Sequence, residues 1–588
     1  MKRMNIYVMI VCIGVMILAA NPASNIKIGV PLRFDHYYSY EMVVKALKAL
    51  NTSFPHLTKL DQVGKSEEGR SIYCMTINNP KTGPELDKPG IYVDGNIHGN
   101  EIQATEVALY LLNYLLTNYH QNNEIKTLVD RNCFYVVPTV NVDGRFHFFS
   151  EANTPNSNRG LRRPHDDDHD GLIDEDFPDD LDGDGSICTM RKRDPHGSFK
   201  TDPADSRLMI RTKPGETGEW TILGSEGIDN DGDGKINEDA EGYVDPNRNW
   251  GFDWMPNYVQ EGAGDYPFSG IGMKALAAFI QKRPNICIAW AFHNYGGMFL
   301  RGPSTKAQPE YHPKDIAVYD YLGKQAERIT PGYRYLISWK DLYNTYGDFG
   351  EWMSMIMGSY TFVGELYMNK QESFKSIKEG KKGKTDDDDE FSFRGSPDLN
   401  RERLKFNDHL TQGERYKSWA PYKHPVYGDI EIGGWVKMSS RLPDPFMLID
   451  LVHRNASAII YSAKNTPEVD LHITEIKKLG SGITQIRTRL TNSKAIPTMS
   501  YHALNVKLYC QDILRVSGKT IQVVAGGHLI DSFLNKVKYK THRPDTQFLF
   551  IPGFGKIEHQ FLVSGKGKVL INYTSHHGGK LKKVIDLK

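Results

Sequence analysis

The sequence predicts an α/β domain, interrupted by an acid-rich insert and followed by an all-β domain, and three textures along the chain predict it. From about residue 36 to 150, and again from about 240 to 370, short apolar strand-like runs alternate with stretches of helical spacing. Between them, residues 163–240 are crowded with Asp and Gly. After about residue 465, runs such as IRTRL, LNVKLYC, IQVVAGG, QFLFIP, HQFLVSG and KVLINY are separated by Gly, Asn and Ser turns, the pattern of a β-sandwich. A chain of 588 residues with 39% hydrophobic content is too long for one simple core and points to two or more domains.

Taken in order, Lys2 and Arg3 precede an apolar run from Ile6 to Ala20 and then Pro22, the layout of a secretory signal peptide over residues 1–24. The run is shorter than the roughly 20 apolar residues a membrane span needs. Cleavage between Ala20 and Ser24 is expected, and with it a secreted or periplasmic protein without a stable membrane span. Residues 36–465 form the expected α/β domain, with the acid-rich insert over 155–240 and a solvated polar loop over 370–400 that includes Asp386 to Asp389. An amphipathic stretch from about Pro443 to Ala463 closes it, and residues 466–588 form the β-sandwich, read as an accessory module. Basic and acidic residues balance at 72 each, so no global field favours nucleic acid or an anionic membrane. The cysteines beyond the leader, Cys74, Cys133, Cys188, Cys287 and Cys510, lack a CxxC spacing. They read as free thiols, mostly buried, rather than a disulfide framework or a cysteine metal site.

The chemistry starts at Gly95-Asn96-Ile97-His98-Gly99-Asn100-Glu101. Gly90 to Asp94 reads as a buried strand, and Ile102, Val107, Leu111, Leu112 and Leu115 continue at helical spacing, so His98 and Glu101 stand at a strand-to-helix corner. Ligands of open α/β sheets bind at such corners, and imidazole with carboxylate suits Zn²⁺ when one position stays open for water. His293 ends another apolar run, Ile286 to Phe292, and is the candidate third ligand.

With that third ligand in place, the chain resembles the zinc carboxypeptidases of the carboxypeptidase A type. The resemblance runs through ordered motifs over residues 36–465: Gly64-Lys65-Ser66, Glu68-Gly69-Arg70, His98-Gly99-Asn100-Glu101, Asn141-Val142-Asp143-Gly144, Met190-Arg191-Lys192, Asn247-Arg248-Asn249-Trp250, His293-Asn294-Tyr295-Gly296-Gly297 and Tyr360 to Leu366. It implies a mixed sheet and one catalytic zinc held by His98, Glu101 and His293. Glu365 is the implied general base, and Arg191, with Arg193 as its competitor, the implied stabiliser of the carbonyl oxyanion. Asn247 and Arg248 would grip the substrate's terminal carboxylate through the planar fork of Arg. Tyr343, with Tyr346 close by, falls where the family has a tyrosine that closes over substrate. The implied reaction is hydrolysis of the C-terminal peptide bond of a peptide or protein with a free C-terminus. At the base of the implied side-chain pocket stands Gly350, which favours an apolar terminal residue, with Asp348 and Glu351 near enough to reverse that preference. The alternatives are an amidase of the same fold acting on cell-wall peptides or N-acyl amino acids, and a non-enzymatic binding module.

The insert carries Asp166-x-Asp168-x-Asp170-Gly171 with Asp174, Asp180-x-Asp182-x-Asp184-Gly185, and Asp229-x-Asp231-x-Asp233-Gly234. Oxygen ligands at positions 1, 3 and 5 with Gly at 6 suit Ca²⁺, although no loop has the Glu at position 12 of a full EF-hand. Structural calcium in these loops, ordering the nearby substrate-binding residues, is expected.

Overall fold

The structure, a computed structural model, describes residues 29–166, 169–239, 242–367 and 397–588. The expected signal peptide, Asp168 and most of the 370–400 loop lie outside the described residues.

The chain enters through α1 (Tyr40–Ser53), capped by the Ser39 hydroxyl, and the antiparallel strands β1 (Thr58–Lys65) and β2 (Ser71–Ile77). β3 (Gly90–Gly95) follows, then α2 (Gln103–Asn118), α3 (Asn123–Arg131), β4 (Cys133–Val137) and α4 (Val142–Ser150). The insert supplies β5 (Thr189–Arg193), β6 (Phe199–Asp202), β7 (Asp205–Arg211) and β8 (Trp220–Ser225). The α/β pattern resumes with α5 (Ile271–Gln281), β9 (Ile286–Asn294), β10 (Met298–Arg301), α6 (Pro313–Ile329), β11 (Arg334–Ile337), α7 (Phe349–Met355) and β12 (Tyr360–Leu366).

Eight strands make the central mixed sheet, in the order β1-β2-β4-β3-β9-β12-β10-β11. Its middle, β4-β3-β9-β12, is parallel. Every residue of β3 and β9 is buried, as expected of parallel strands covered on both faces, and this explains their unbroken apolar runs. One face packs under α2, α6 and the helix Leu448–Lys464, with Val107, Leu111, Leu322 and Ile459 in one apolar cluster. The other packs against α5 and α7 through Leu276, Trp250 and Trp352. The parallel strands all point their carboxyl ends to one edge, where the candidate site lies.

The insert contains more than acidic turns. β5 to β8 join β13 (Tyr416–His424) and β14 (Gly428–Trp435) in a second sheet, ordered β13-β14-β5-β8-β6-β7 and wholly antiparallel. Its interior is small, centred on Cys188, Met190, Ile430 and Ile432. A sheet so thinly covered leaves little apolar alternation, and its two halves lie some two hundred residues apart along the chain, as the pairing of Glu431 with Arg191 illustrates.

Residues 469–587 form a five-stranded and a four-stranded sheet. Leu471, Ile486 and Phe561 of the larger and Leu514, Ile571 and Tyr573 of the smaller share one apolar cluster. This part is tied to the α/β part through Asp315 of α6, whose carboxylate accepts the backbone N–H groups of Tyr501 (3.0 Å) and His502 (2.8 Å). Cys74, Cys133, Cys188 and Cys287 are buried free thiols and Cys510 is exposed. Among the described residues no helix is long and apolar enough to cross a membrane.

Candidate active site

The corner after β3 is built by a buried hydrogen-bond frame. Asn96 adopts φ 58°, where Asn is among the best-tolerated side chains, and its amide donates to the carbonyls of His98 (2.6 Å) and Gly99 (3.0 Å). The Asn96 side-chain oxygen Oδ1 in turn accepts from Arg145 (3.1 Å), which also donates to the Ile102 carbonyl (2.9 Å) and the Glu106 carboxylate (2.7 Å). Gly99 is required: a Cβ there would stand 2.3 Å from the Asn158 carbonyl oxygen and 2.5 Å from the Gly144 Cα.

This frame turns His98 and Glu101 toward His293 at the end of β9. His98 Nδ1 lies 2.9 Å from one Glu101 oxygen, His293 Nδ1 lies 3.0 Å from the other, and the two Nδ1 atoms are 3.2 Å apart. All three residues are buried. Burial alone would raise the Glu101 carboxyl, but the two imidazoles outweigh it and hold it well below the usual range. The other nitrogen of His98 meets Asp245 Oδ1 at 3.0 Å, a carboxylate behind an imidazole that fixes ring orientation as in many metal sites. Two imidazole nitrogens and a carboxylate converging within one buried shell fit Zn²⁺, with the cleft side left open.

Glu365 reaches the same shell by strand register, because β12 runs parallel to β9 with Glu365 opposite His293. Burial pushes its carboxyl up to about 7, with His293 pulling it down and Glu101 adding to the rise. Both residues line a cleft of about 270 Å³ together with Arg159, Asn247, Arg248, Tyr343, Asp348 and Arg441. Arg248 is held by a turn in which its N–H donates to the Asp245 carbonyl (2.9 Å), and Asn247 Oδ1 accepts from the Phe349 N–H (2.9 Å). Tyr343, 48% exposed, stands on the cleft's wall just after the short helical segment Ser338–Leu342.

Arg191 is elsewhere, and its expected role is corrected. It sits on β5 of the second sheet, clamped by Glu431 (2.8 and 2.5 Å) between the rings of Trp220 (3.9 Å) and Trp419 (4.0 Å). Both its charge and its faces are already satisfied there. Arg193, its competitor, stacks on the same Trp220 (4.9 Å). The cleft arginine beside the His98, Glu101 and His293 cluster is Arg159, which donates to Glu101 (3.1 Å) and to Asp245 (3.2 Å). Arg159 and Asp245 were missed in the sequence. Asp245 stands two residues before Asn247 and could have been found from that spacing, whereas Arg159 opens the acidic insert and carries no local signal. Arg441, also missed, arrives from the segment after β14, its Nε donating to Asn156 (3.0 Å) and its guanidinium 5.2 Å from the Tyr295 ring.

Among the described residues, the Asp-rich turns share one hydrogen bond. The first Asp of each accepts the N–H of the Gly at position 6: Asp166 from Gly171 (3.2 Å), Asp180 from Gly185 (2.8 Å) and Asp229 from Gly234 (3.0 Å). Those glycines have φ of 100°, 87° and 95°, which explains their type. Asp170, Glu175 and Asp231 bring the first and third turns together, Asp229, Asp231 and Asp233 cluster within the third, and Asp180 and Asp182 meet Glu226. Asp174 accepts from the His165 N–H (3.2 Å). In the middle turn Lys417 already pairs with Asp182 and with Asp184 (2.8 Å).

A family model described as zinc carboxypeptidase matches residues 43–203 and 225–382, more than half of the chain. A domain of unknown function (DUF8731) matches residues 468–586. Carboxypeptidase D of Homo sapiens is 37% identical over 114 residues, 19% of this chain and 8% of that protein. Carboxypeptidase B of Astacus astacus is 25% identical over 271 residues, 45% of this chain and 63% of that protein. The chain therefore spans less than a tenth of the former and under two thirds of the latter. Among solved structures, the carboxypeptidase A from Helicoverpa armigera aligns with a TM-score of 0.41 at 17% identity, covering 75% of this chain and 78% of that one, a likeness too weak to carry an argument.

Proposed function

Because the chain belongs to the zinc carboxypeptidase family, we propose that it is an exported carboxypeptidase that hydrolyses the C-terminal bond of peptides or proteins. The observation that carries this reading is the cleft itself: one wall holds the His98, Glu101 and His293 cluster with Glu365, and another holds Asn247 and Arg248, a pair suited to a free carboxylate.

His98, Glu101 and His293 would hold the zinc, with Asp245 orienting His98. When bound, the ion supplies Lewis-acid polarisation of water and of the scissile carbonyl. Glu365 takes a proton from the attacking water and delivers it to the leaving amine, and its burial, which raises the carboxyl, favours holding that proton between the two steps. Arg159, in place of Arg191, faces the negative charge that develops on the carbonyl oxygen. Arg248 binds the terminal carboxylate with Asn247 beside it, and Tyr343 closes over the bound residue and excludes water.

The first and third acidic turns, which share the Asp170, Glu175 and Asp231 cluster, are the proposed structural calcium sites. In the middle turn Lys417 pairs with Asp182 and Asp184, while Asp180 and Asp182 also stand with Glu226. The proposed division is a leader over 1–24, a catalytic domain over 36–465 and an accessory β-sandwich over 466–588, with export to the periplasm or outside the cell following from the leader.

The test is release of free amino acids from a mixed peptide library by the purified mature protein, beside Glu365→Gln and a chelated sample. Stepwise release of single C-terminal residues is expected, falling by about 10²–10⁴-fold in the variant and disappearing on chelation. Release from cell-wall fragments or N-acyl amino acids but not from linear peptides would replace this reading with an amidase.

A further inference from the structure

We propose that the hairpin tip carrying Phe533 and Leu534 inserts into an anionic phospholipid surface and holds the protein against a membrane. This binding site lies in the all-β part and is independent of the cleft and of the carboxypeptidase reading.

The tip joins the strands Ile521–Asp531 and Lys536–Tyr539, and the second of these is an edge strand of the five-stranded sheet. Phe533 is 95% exposed and Leu534 69%, with Ile530 just before them at 53%. The core of this part, around Phe561 and Val563, closes without them. Large apolar side chains grouped in water in this way mark a surface that meets something else.

The turn that presents them is built rather than slack. The Asp531 carboxylate accepts the N–H groups of Phe533 (2.9 Å) and Leu534 (2.9 Å). Asn535 stands at φ 54°, and its side-chain oxygen accepts from the Arg487 guanidinium of the strand Ile483–Asn492. Phe533 and Leu534 are thereby held outward while their own N–H groups are already paired. An apolar layer demands this of any backbone that enters it, because an unpaired amide there is costly.

The charge behind the tip identifies the layer. Between residues 528 and 546, Lys536, Lys538, Lys540 and Arg543 stand against Asp531 and Asp545. Asp531 is engaged by the turn, and Asp545 pairs with Arg515 (3.4 Å). Lys540 lies over the Phe548 ring (4.6 Å) and donates to the Thr546 carbonyl (3.1 Å). Lys536, Lys538 and Arg543 meet no carboxylate among the described residues. The even balance of the whole chain hides this local excess. With the two tip side chains below the headgroups, the ammonium groups reach lipid phosphates, each strengthening binding about fivefold. A strand of a second copy fits less well, since lysines along an edge strand deter pairing. A stable protein interface also needs about 800 Å² from each partner, more than a two-residue tip supplies.

The test is sedimentation of the purified mature protein with vesicles of phosphatidylcholine alone or of phosphatidylglycerol and phosphatidylcholine in equal parts. Partition to the anionic vesicles should exceed that to the neutral ones by about 100-fold and weaken with added salt. Phe533→Ser combined with Leu534→Ser should lower it at least about tenfold without changing Tm, since both side chains are exposed. Lys536→Glu combined with Lys538→Glu should lower binding to the anionic vesicles and not to the neutral ones. No partition to either vesicle, or equal partition by the wild-type protein and the folded tip variant, overturns the proposal. So does a vesicle-free dimer, seen by sedimentation velocity, that the tip variant abolishes, because it gives the tip to a second copy. Every outcome is read without a peptide substrate, so failure here leaves the carboxypeptidase reading standing.

Discussion

The carboxyl edge of the central sheet and the turns of the acidic insert both crowd negative charge, and they neutralise it in opposite ways. At the sheet edge, Glu101 and Asp245 are buried and each meets a histidine and Arg159, so the fold itself supplies the counter-charges and fixes their positions. In the turns, Asp166, Asp180 and Asp229 are satisfied mainly by their own backbone N–H groups and remain near solvent. The first arrangement presents ligands already in place. The second needs a cation, a lysine in one turn and calcium as proposed in the others, to hold carboxylates together.

The same contrast separates two arginines, and this is where it can be broken most sharply. Arg159→Ala should lower kcat by about 10²–10³-fold, the loss seen when one preorganised oxyanion donor is removed. Arg191→Ala should leave kcat near the wild-type value and cost about 2 kcal/mol of stability from its aromatic sandwich. Steady-state kinetics beside denaturant melts decide the matter, and the reverse result would return the catalytic role to Arg191.

A second experiment sharpens the comparison beneath the cleft, where Glu351 is buried and accepts from the Ser304 N–H and the Tyr311 hydroxyl. Its folded carboxyl, raised from 4.5 to about 8, binds a proton that the unfolded chain has already released. The stabilising contribution is therefore complete below about pH 4.5 and is lost as pH rises toward 8, by up to about 1.4 kcal/mol per pH unit. Glu351→Gln should be less sensitive to pH over that window, measured as the difference between the two melting curves. Equal slopes would mean that Glu351 ionises in the folded protein as it does in the unfolded one.

The smallest effect belongs to the turns. Removing calcium with a selective chelator while zinc is retained should lower Tm by a few degrees, about 1 kcal/mol for a large domain, and reduce activity through KM as the residues before Asn247 loosen. Unchanged Tm and unchanged activity would reduce the turns to solvated decoration.

Much of this was legible in the sequence where local pattern and chemistry coincide. Gly90 to Glu101 and Ile286 to His293 could be read because a buried strand ending in a ligand is a local event, and the structure brings His98, Glu101, His293, Asn247, Arg248 and Glu365 into one cleft. Arg191 misled because Met190-Arg191-Lys192 matched a motif by order alone, while its actual partners, Trp220, Trp419 and Glu431, are distant in sequence. Arg159 was hidden for the converse reason: nothing near it in the chain announces the Glu101 and Asp245 carboxylates it meets. The second sheet escaped notice because β5 pairs with β14 across more than two hundred residues, and a weakly covered sheet leaves little periodicity to read.

The pairing of β12 with β9 has one more consequence. Glu365 and His293 are held opposite each other by backbone hydrogen bonds of neighbouring strands, so their separation follows the spacing of a sheet, about 4.8 Å. That spacing acts as a ruler whose length does not depend on the side chains around it. Loops around the cleft can therefore differ while the main-chain spacing between Glu365 and His293 stays constant. The site separates what must be exact from what can be redesigned, and it does so with main chain alone.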